Sequence, residues 1–238
     1  MNTIGIDIGG TTMRGILWDG ERIARASEMA TPQQPSVFIR RVKEIAAKAA
    51  GAKRVASIGI GIAGVIEKTT LMLAPNIPAV KNVDLRRLLP DSFSVRVDND
   101  ARCFARAESR MGAAKGFRSV FAITLGTGIG RAFVKNGNTS LIKKFEYPEK
   151  WEKEYQRARD GETDARLAEF LGKKLSPLIK NYDPEALVIG GGIVKRRGFF
   201  QRVSRALKQH HVLATIRRAK LGENAAAIGA ALLFNDHG

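Results

Sequence analysis

The chain has 238 residues, 44% of them hydrophobic and 26% charged, enough for a sizeable core arranged as one large domain or as two small lobes. No apolar run approaches the roughly 20 residues that span a bilayer, and the opening MNTIGIDIGGTT enters a strand pattern without a basic leader, so a cytoplasmic protein with no membrane partner is expected. The single cysteine, Cys103, excludes an internal disulfide and a Cys-rich zinc site, and a net charge of +17 predicts attraction to polyanions such as nucleic acid, polyphosphate or nucleotides.

In chain order, Thr3 to Ile8 reads as a strand, Gly-Gly-Thr-Thr as a turn, and Arg14 to Trp18 as a second strand ended by Asp19-Gly20. This is a hairpin. Pro35 to Ala50 carries Val37, Phe38, Val42, Ile45 and Ala49 at helical spacing. Ala56 to Ile62 is strand-like and stops at Gly64, followed by a short Val65-Ile66 segment. Val95 to Val97 reads as a short buried strand, with Asp98, Asn99 and Asp100 at its end and a helix from Ala101 to Met111.

The second half repeats the opening. Ser119 to Leu125 is a strand, Gly126-Thr-Gly-Ile-Gly130 a turn, and Arg131 to Lys135 a strand ended by Asn136-Gly137. Two copies of strand, Gly/Thr turn and strand predict duplicated lobes, each offering its hairpin turn to a shared cleft. Lys150 to Arg159 and Asp164 to Lys180 read as helices, the second interrupted by Pro177. Ala186 to Ile189 is a strand leading into Gly190, Gly191 and Gly192, and Ala225 to Phe234 is a helix of small residues. The lobes are expected at 1–113 and 114–238, with the last helix, about 223–238, packing back on the first.

Two features carry chemistry. Glycines at a hairpin turn let backbone N–H groups approach an anion, and the Thr11 and Thr12 hydroxyls add donors, so Gly9-Gly-Thr-Thr12 and Gly126-Thr-Gly128 suit the two parts of a triphosphate tail. Asp7 is placed to hold a metal through water or to position a phosphate-bound Mg²⁺. From Lys195 to Lys220 nine Lys and Arg side chains occur with no acidic residue among them. The simpler reading is a solvated helix face.

The succession DIGGTT, GIGIAGVIE, APNIP, DNDARCFARAE, LGTGIG, ALVIGGGI and LGENAAAIGAALL resembles the ROK sugar kinases over almost the whole chain. The resemblance implies an α/β protein of the actin-like ATPase (ribonuclease H-like) fold, closing two lobes over ATP and a hexose. It implies Gly9, Gly10, Thr11, Thr12, Gly126, Thr127 and Gly128 on the phosphates, and Gly190, Gly191 and Gly192 near the adenosine. Asp100 matches the catalytic aspartate that takes the proton from the attacking sugar hydroxyl. Side-chain alternation alone leaves Asp98 as its rival, and a helix cap is the simpler reading of Asp100. Gly64, Asn76 and Asn99 resemble sugar-binding positions.

The chain also departs from the family pattern. A Gly-Glu-Ile-Gly-His segment that contacts the sugar, and the Cys-rich zinc motif after it, are both missing, so no structural zinc is expected. Lys144 and Tyr147 stand roughly where the Glu and His would fall, and Glu149 is the nearest remaining carboxylate. The compact second half resembles the zinc-less polyphosphate glucokinases, which makes polyphosphate a rival donor and a sugar other than glucose a live acceptor. A homodimer is expected. The rival of another class, a polyanion binder with only nonspecific affinity for nucleic acid, fits the charge. Family repressors carry a helix-turn-helix domain ahead of the first turn, which here stands with Asp7 at its start.

Overall fold

The computed structural model describes residues 2–235. The chain divides into two units, Met1–Ala107 with Glu223–Gly238, and Glu108–Gly222.

In the first unit, β1 (Thr3–Ile8), β2 (Thr12–Trp18) and β3 (Ile23–Ala30) form an antiparallel meander. Helix α1 (Pro35–Ala50) follows with its proline in the first turn, where a missing N–H is harmless. Its buried stripe of Phe38, Val42, Ile45 and Ala49 belongs to the same core as Ile4, Ile6 and Ile8 of β1. The chain then adds β4 (Ser57–Ile62), parallel to β1, a small antiparallel sheet of β5 (Val65–Glu67), β6 (Thr70–Leu73) and β7 (Val83–Asp84), and β8 (Ser94–Asn99), parallel to β4. The large sheet runs β3-β2-β1-β4-β8. Strand β8 includes Asp98 and Asn99, which sequence reading left beyond the strand, and α2 (Asp100–Arg110) starts directly after it.

The second unit repeats this plan. Strands β9 (Ser119–Leu125), β10 (Ile129–Lys135) and β11 (Asn138–Thr139) form a meander; α3 (Glu152–Gly161) and α4 (Asp164–Lys180) lead to β12 (Ala186–Gly190), and α5 (Phe199–Gln209) to β13 (Thr215–Arg218). The sheet order is β11-β10-β9-β12-β13, the same succession of two antiparallel and two parallel pairings. The duplication read from the Gly/Thr turns is thus a duplication of whole sheets. Glu108 goes with this unit, ahead of the boundary at 113 expected from sequence. Its buried carboxylate accepts the N–H groups of Ala113, Lys220 and Leu221 at 2.7, 3.0 and 2.8 Å.

Helix α4 corrects one expectation, since it continues through Pro177. Proline deletes the bond to the carbonyl four residues back, but Pro177 and Lys173 are both exposed, so the missing bond falls on the solvent face of the helix. Leu167, Leu171, Leu175 and Ile179 on the other face share a core with Val203 and Leu207 of α5.

The terminal helix α6 (Ala225–Ala231) lies on β1 and β4 of the first unit, and a 3-10 turn over Leu232–Asn235 ends it earlier than the helix expected to Phe234. Residues 236–238 of the expected last segment lie outside the described residues. The closeness is enforced by glycine: a Cβ on Gly5 or Gly59 would stand 1.9 Å from the carbonyl oxygen of Ala227 or Ala230. Among the described residues no helix is long and apolar enough to cross a membrane.

Candidate active site

The sheet of the first unit sets out its polar groups in one row. Register pairs Asp7 with Arg14 on one side and Gly61 on the other, and Gly61 with Asp98. Gly61 is the gap in this row. A Cβ there would come within 3.1 Å of Cys103 Sγ and 3.6 Å of Asp100 Cα, so its absence lets the first turn of α2 approach the sheet.

Asp98 and Asp100 then part company. The buried Asp98 is committed to two guanidinium groups, with Arg102 Nε at Oδ1 and Arg106 Nη2 at Oδ2, the latter at 2.8 Å. Asp100 accepts the Ala101 N–H at 2.8 Å, and its pKa is pushed up from 3.8 to about 6, chiefly by burial. The pKa of Asp7 is pushed further, to about 8, by burial first and by the negative charge of Asp100 second, against the pull of Arg14. Both residues keep an accessible edge. These neighbouring carboxyls are short of positive charge, a deficit that a divalent cation fits. Among the described residues no group of three or more His, Cys, Asp or Glu forms a complete cation cage.

Asn99 caps α2. Its Oδ1 accepts the Ala101 N–H at 3.0 Å, and its Nδ2 donates to the Gly64 carbonyl at 3.1 Å. Gly64 has φ +154°, and a Cβ on it would meet the Leu73 carbonyl oxygen at 2.2 Å. Asn76 packs on the first glycine turn so closely that a Cβ at Gly10 would lie 2.5 Å from its own Cβ. Gly64, Asn76, Asn99 and Asp100 are therefore held in the unit that carries Asp7, Gly9, Gly10, Thr11 and Thr12.

The two glycine turns share a device that sequence reading missed. In the first, Gly9 N–H closes the turn on the Thr12 carbonyl, Thr31 donates its N–H to the Thr11 carbonyl and its hydroxyl to the Gly9 carbonyl at 2.9 and 2.8 Å, and Gln33 Nε2 donates to the Gly10 carbonyl at 3.2 Å. In the second, Gly126 N–H closes on the Gly128 carbonyl, and the Tyr155 hydroxyl donates to the Gly126 carbonyl at 2.8 Å. Arg159 Nη1 donates to the Thr127 carbonyl at 2.9 Å. The carbonyls of Gly9, Gly10, Thr11, Gly126 and Thr127 are thus taken by donors from elsewhere in their own unit. Among the described residues the N–H groups of Gly10, Thr11, Thr127 and Gly128 have no acceptor, and such amides suit an anion.

The triple glycine lies beside the second turn. Gly190 pairs with Thr124. Gly191 has φ +97°, and a Cβ there would meet Leu125 backbone atoms at 2.3 to 2.7 Å, whereas Gly192 opens on free space. The segment before α3 is anchored by Arg131, whose buried side chain reaches Glu152 at 2.7 Å and donates to the Tyr147 carbonyl at 2.9 Å. Glu149, half-exposed, stands 3.8 Å from Arg131 Nη1. The Lys144 ammonium lies over the Phe145 and Tyr182 rings at 5.9 and 5.8 Å. Lys144, Tyr147 and Glu149 thus all belong to the second unit.

Two sheets of one order, each opening on a hairpin with a glycine turn and continuing into parallel strands, define the actin-like ATPase fold. The chain belongs to the ROK family, whose profile matches residues 3–141 and 153–237. It is 34% identical over 140 residues to a glucokinase of Streptomyces coelicolor, covering 56% of this chain and 43% of that protein. It is 35% identical over 149 residues to an N-acetyl-D-glucosamine kinase of Escherichia coli, covering 59% and 48%. The matches span less than half the length of both relatives. The crystal structure of an inorganic polyphosphate/ATP-glucomannokinase from Arthrobacter sp. strain KM aligns over 98% of each chain, with a TM-score of 0.83 and 28% identity.

Proposed function

We propose that the chain is a cytoplasmic sugar kinase that moves the γ-phosphoryl group of ATP to a hydroxyl of a hexose, glucose or a related sugar. The carrying observation is the pair of turns with their carbonyls tied back and the amides of Gly10, Thr11, Thr127 and Gly128 left for phosphate oxygens. Phosphoryl transfer asks a protein for positioning and charge neutralisation more than for covalent chemistry. The Thr11 and Thr12 hydroxyls add donors, and the exposed Gly191 and Gly192, with the buried Gly190 behind them, offer a surface without side chains for the adenosine.

Asp7 is the residue that would hold the Mg²⁺ of the nucleotide, directly or through water, and the ion when bound would neutralise phosphate charge. Asp100, ionised, takes the proton of the attacking hydroxyl. A pKa near 6 is high enough to accept a proton and low enough to be ionised at neutral pH. Asn76 and Asn99, with the Gly64 backbone, orient the sugar, and Glu149 is a further sugar contact in the second unit.

The test is an assay of the purified chain with MgATP on a panel of hexoses and amino sugars, following ADP release. Turnover is expected on at least one sugar, with Asp100→Asn losing about 10² to 10⁴ of it while remaining folded. A wild type inert on the whole panel with ATP and with polyphosphate would end the proposal.

Polyphosphate is the second donor to try. Arg197, Arg202, Arg205, Lys208 and Arg217 are exposed, and the Arthrobacter enzyme is named for both donors. Exposed cations of this number favour a polyanion and weaken with salt.

A further inference from the structure

Away from the glycine turn of the first unit, α1 and the 3-10 turn over Leu85–Leu88 enclose a half-open cavity of about 420 Å³. Its floor is Ile4 of β1 and its walls include Ala46, Leu88 and Phe93. The charged residues lining it are Lys43 and Arg87, both cationic. Among the described residues Lys43 has no hydrogen bond or ion pair, and Arg87 has an exposed contact from Nε to Asp84 Oδ2 at 3.3 Å. An exposed pair of this kind is weak enough to yield to a better anion.

We propose that this cavity is a binding site for an aryl carboxylate. Three observations specify the class. The volume lies within the range of small-molecule pockets and is more than twice the roughly 150 Å³ that holds a benzene, so it has room for a fused bicyclic ring. The walls are apolar, with the flat side chains of Phe93 and Pro90 among them, and reward a ring over a sugar or a free phosphate. Both charged linings are cations, so a ligand carrying one negative group beside its ring satisfies them. Lys43 offers an ammonium and Arg87 a planar fork suited to a carboxylate.

The site is independent of the kinase reading, since Ile4 and α1 contribute none of the residues assigned to phosphate or sugar. It shares only β1, whose far end carries Asp7.

Calorimetric titration of the full chain with 2-naphthoate tests the proposal, with neutral 2-naphthamide as the control. Expected is saturable binding of one equivalent of naphthoate, about tenfold tighter than the amide. The Lys43→Gln, Arg87→Gln double variant should erase that preference. Ala47→Trp, at an exposed helix position on the cavity wall, should abolish binding while melting at the wild-type temperature. No saturable binding, equal binding of acid and amide, or full binding by a folded Ala47→Trp would each overturn the proposal. Should Ala47→Trp fail to fold, the double variant decides, because Lys43 and Arg87 are both exposed surface residues.

Discussion

The Tyr155 hydroxyl donates to the Gly126 carbonyl at 2.8 Å, as the Thr31 hydroxyl donates at 2.8 Å to the Gly9 carbonyl in the other unit. Two unrelated side chains, one from a helix and one from the end of a meander, do the same task in two copies of one fold. They pull the carbonyl side of a glycine turn away and leave its amides for an anion.

Loosening one turn should therefore weaken the nucleotide and spare the sugar. Each neutral hydrogen bond contributes about 0.5–1.5 kcal/mol, and one from a charged donor more. The Tyr155→Phe, Arg159→Met double variant is expected to raise KM for ATP about tenfold or more with little change in KM for the sugar. Steady-state kinetics varying each substrate in turn checks this, and an unchanged ATP KM would refute the role given to these staples.

Asp98 and Asp100 stand two residues apart and should fail in opposite ways. Asp98→Ala removes the carboxylate that the buried Arg102 and Arg106 guanidinium groups share, and removing one partner of a buried pair typically costs about 3–5 kcal/mol. Asp100→Ala removes a carboxyl that burial already disfavours in its charged form, so its melting temperature should stay at or above wild type while turnover is lost. Thermal melts of both variants alongside the assay separate the two roles.

The sequence was legible where a strand or helix displays an apolar face. Thr3–Ile8, Pro35–Ala50, Ser119–Leu125 and Asp164–Lys180 have the bounds read from their patterns. Strands β3 (IARASEMA) and β13 (TIRR) went unread because they are sheet edges, held by main-chain pairing and largely exposed, with no alternation to display. Motif order pointed to Asp100, but the burial of Asp98 between two arginines is a tertiary fact. Thr31, Gln33, Tyr155 and Arg159 were invisible for another reason: their partners are backbone carbonyls, which leave no trace in residue identity.

Asp7 should destabilise the folded chain at neutral pH. Its folded pKa of about 8 lies above the usual 3.8, so the folded state binds the proton more tightly. The stability this contributes is fully present below about pH 4 and is lost as pH rises toward 8. Asp7→Asn, neutral and of the same shape, should therefore raise the melting temperature at pH 8 and give no gain at pH 4. With solvent reaching one edge of the carboxyl, about 1–3 kcal/mol is expected at the upper end. A gain that grows toward acid would contradict the assignment. The same variant should lose turnover, since the carboxylate proposed to hold the Mg²⁺ is gone.

Asp100 sets the acid limb of the reaction. A base works only when ionised, and burial has moved this carboxyl up to about 6. The profile of kcat/KM for the sugar at saturating MgATP, where an Asp7 holding the ion would stay ionised, should therefore fall about tenfold per pH unit below 6 and level off above it. A carboxylate with its ordinary pKa would hold the plateau down to about pH 4, so the position of the bend reads the burial directly. Arg102 pulls against the rise, and Arg102→Gln, which removes that charge, should move the bend to higher pH. A bend near 4 in the wild type, or one that Arg102→Gln shifts toward acid, would remove Asp100 from the role of base.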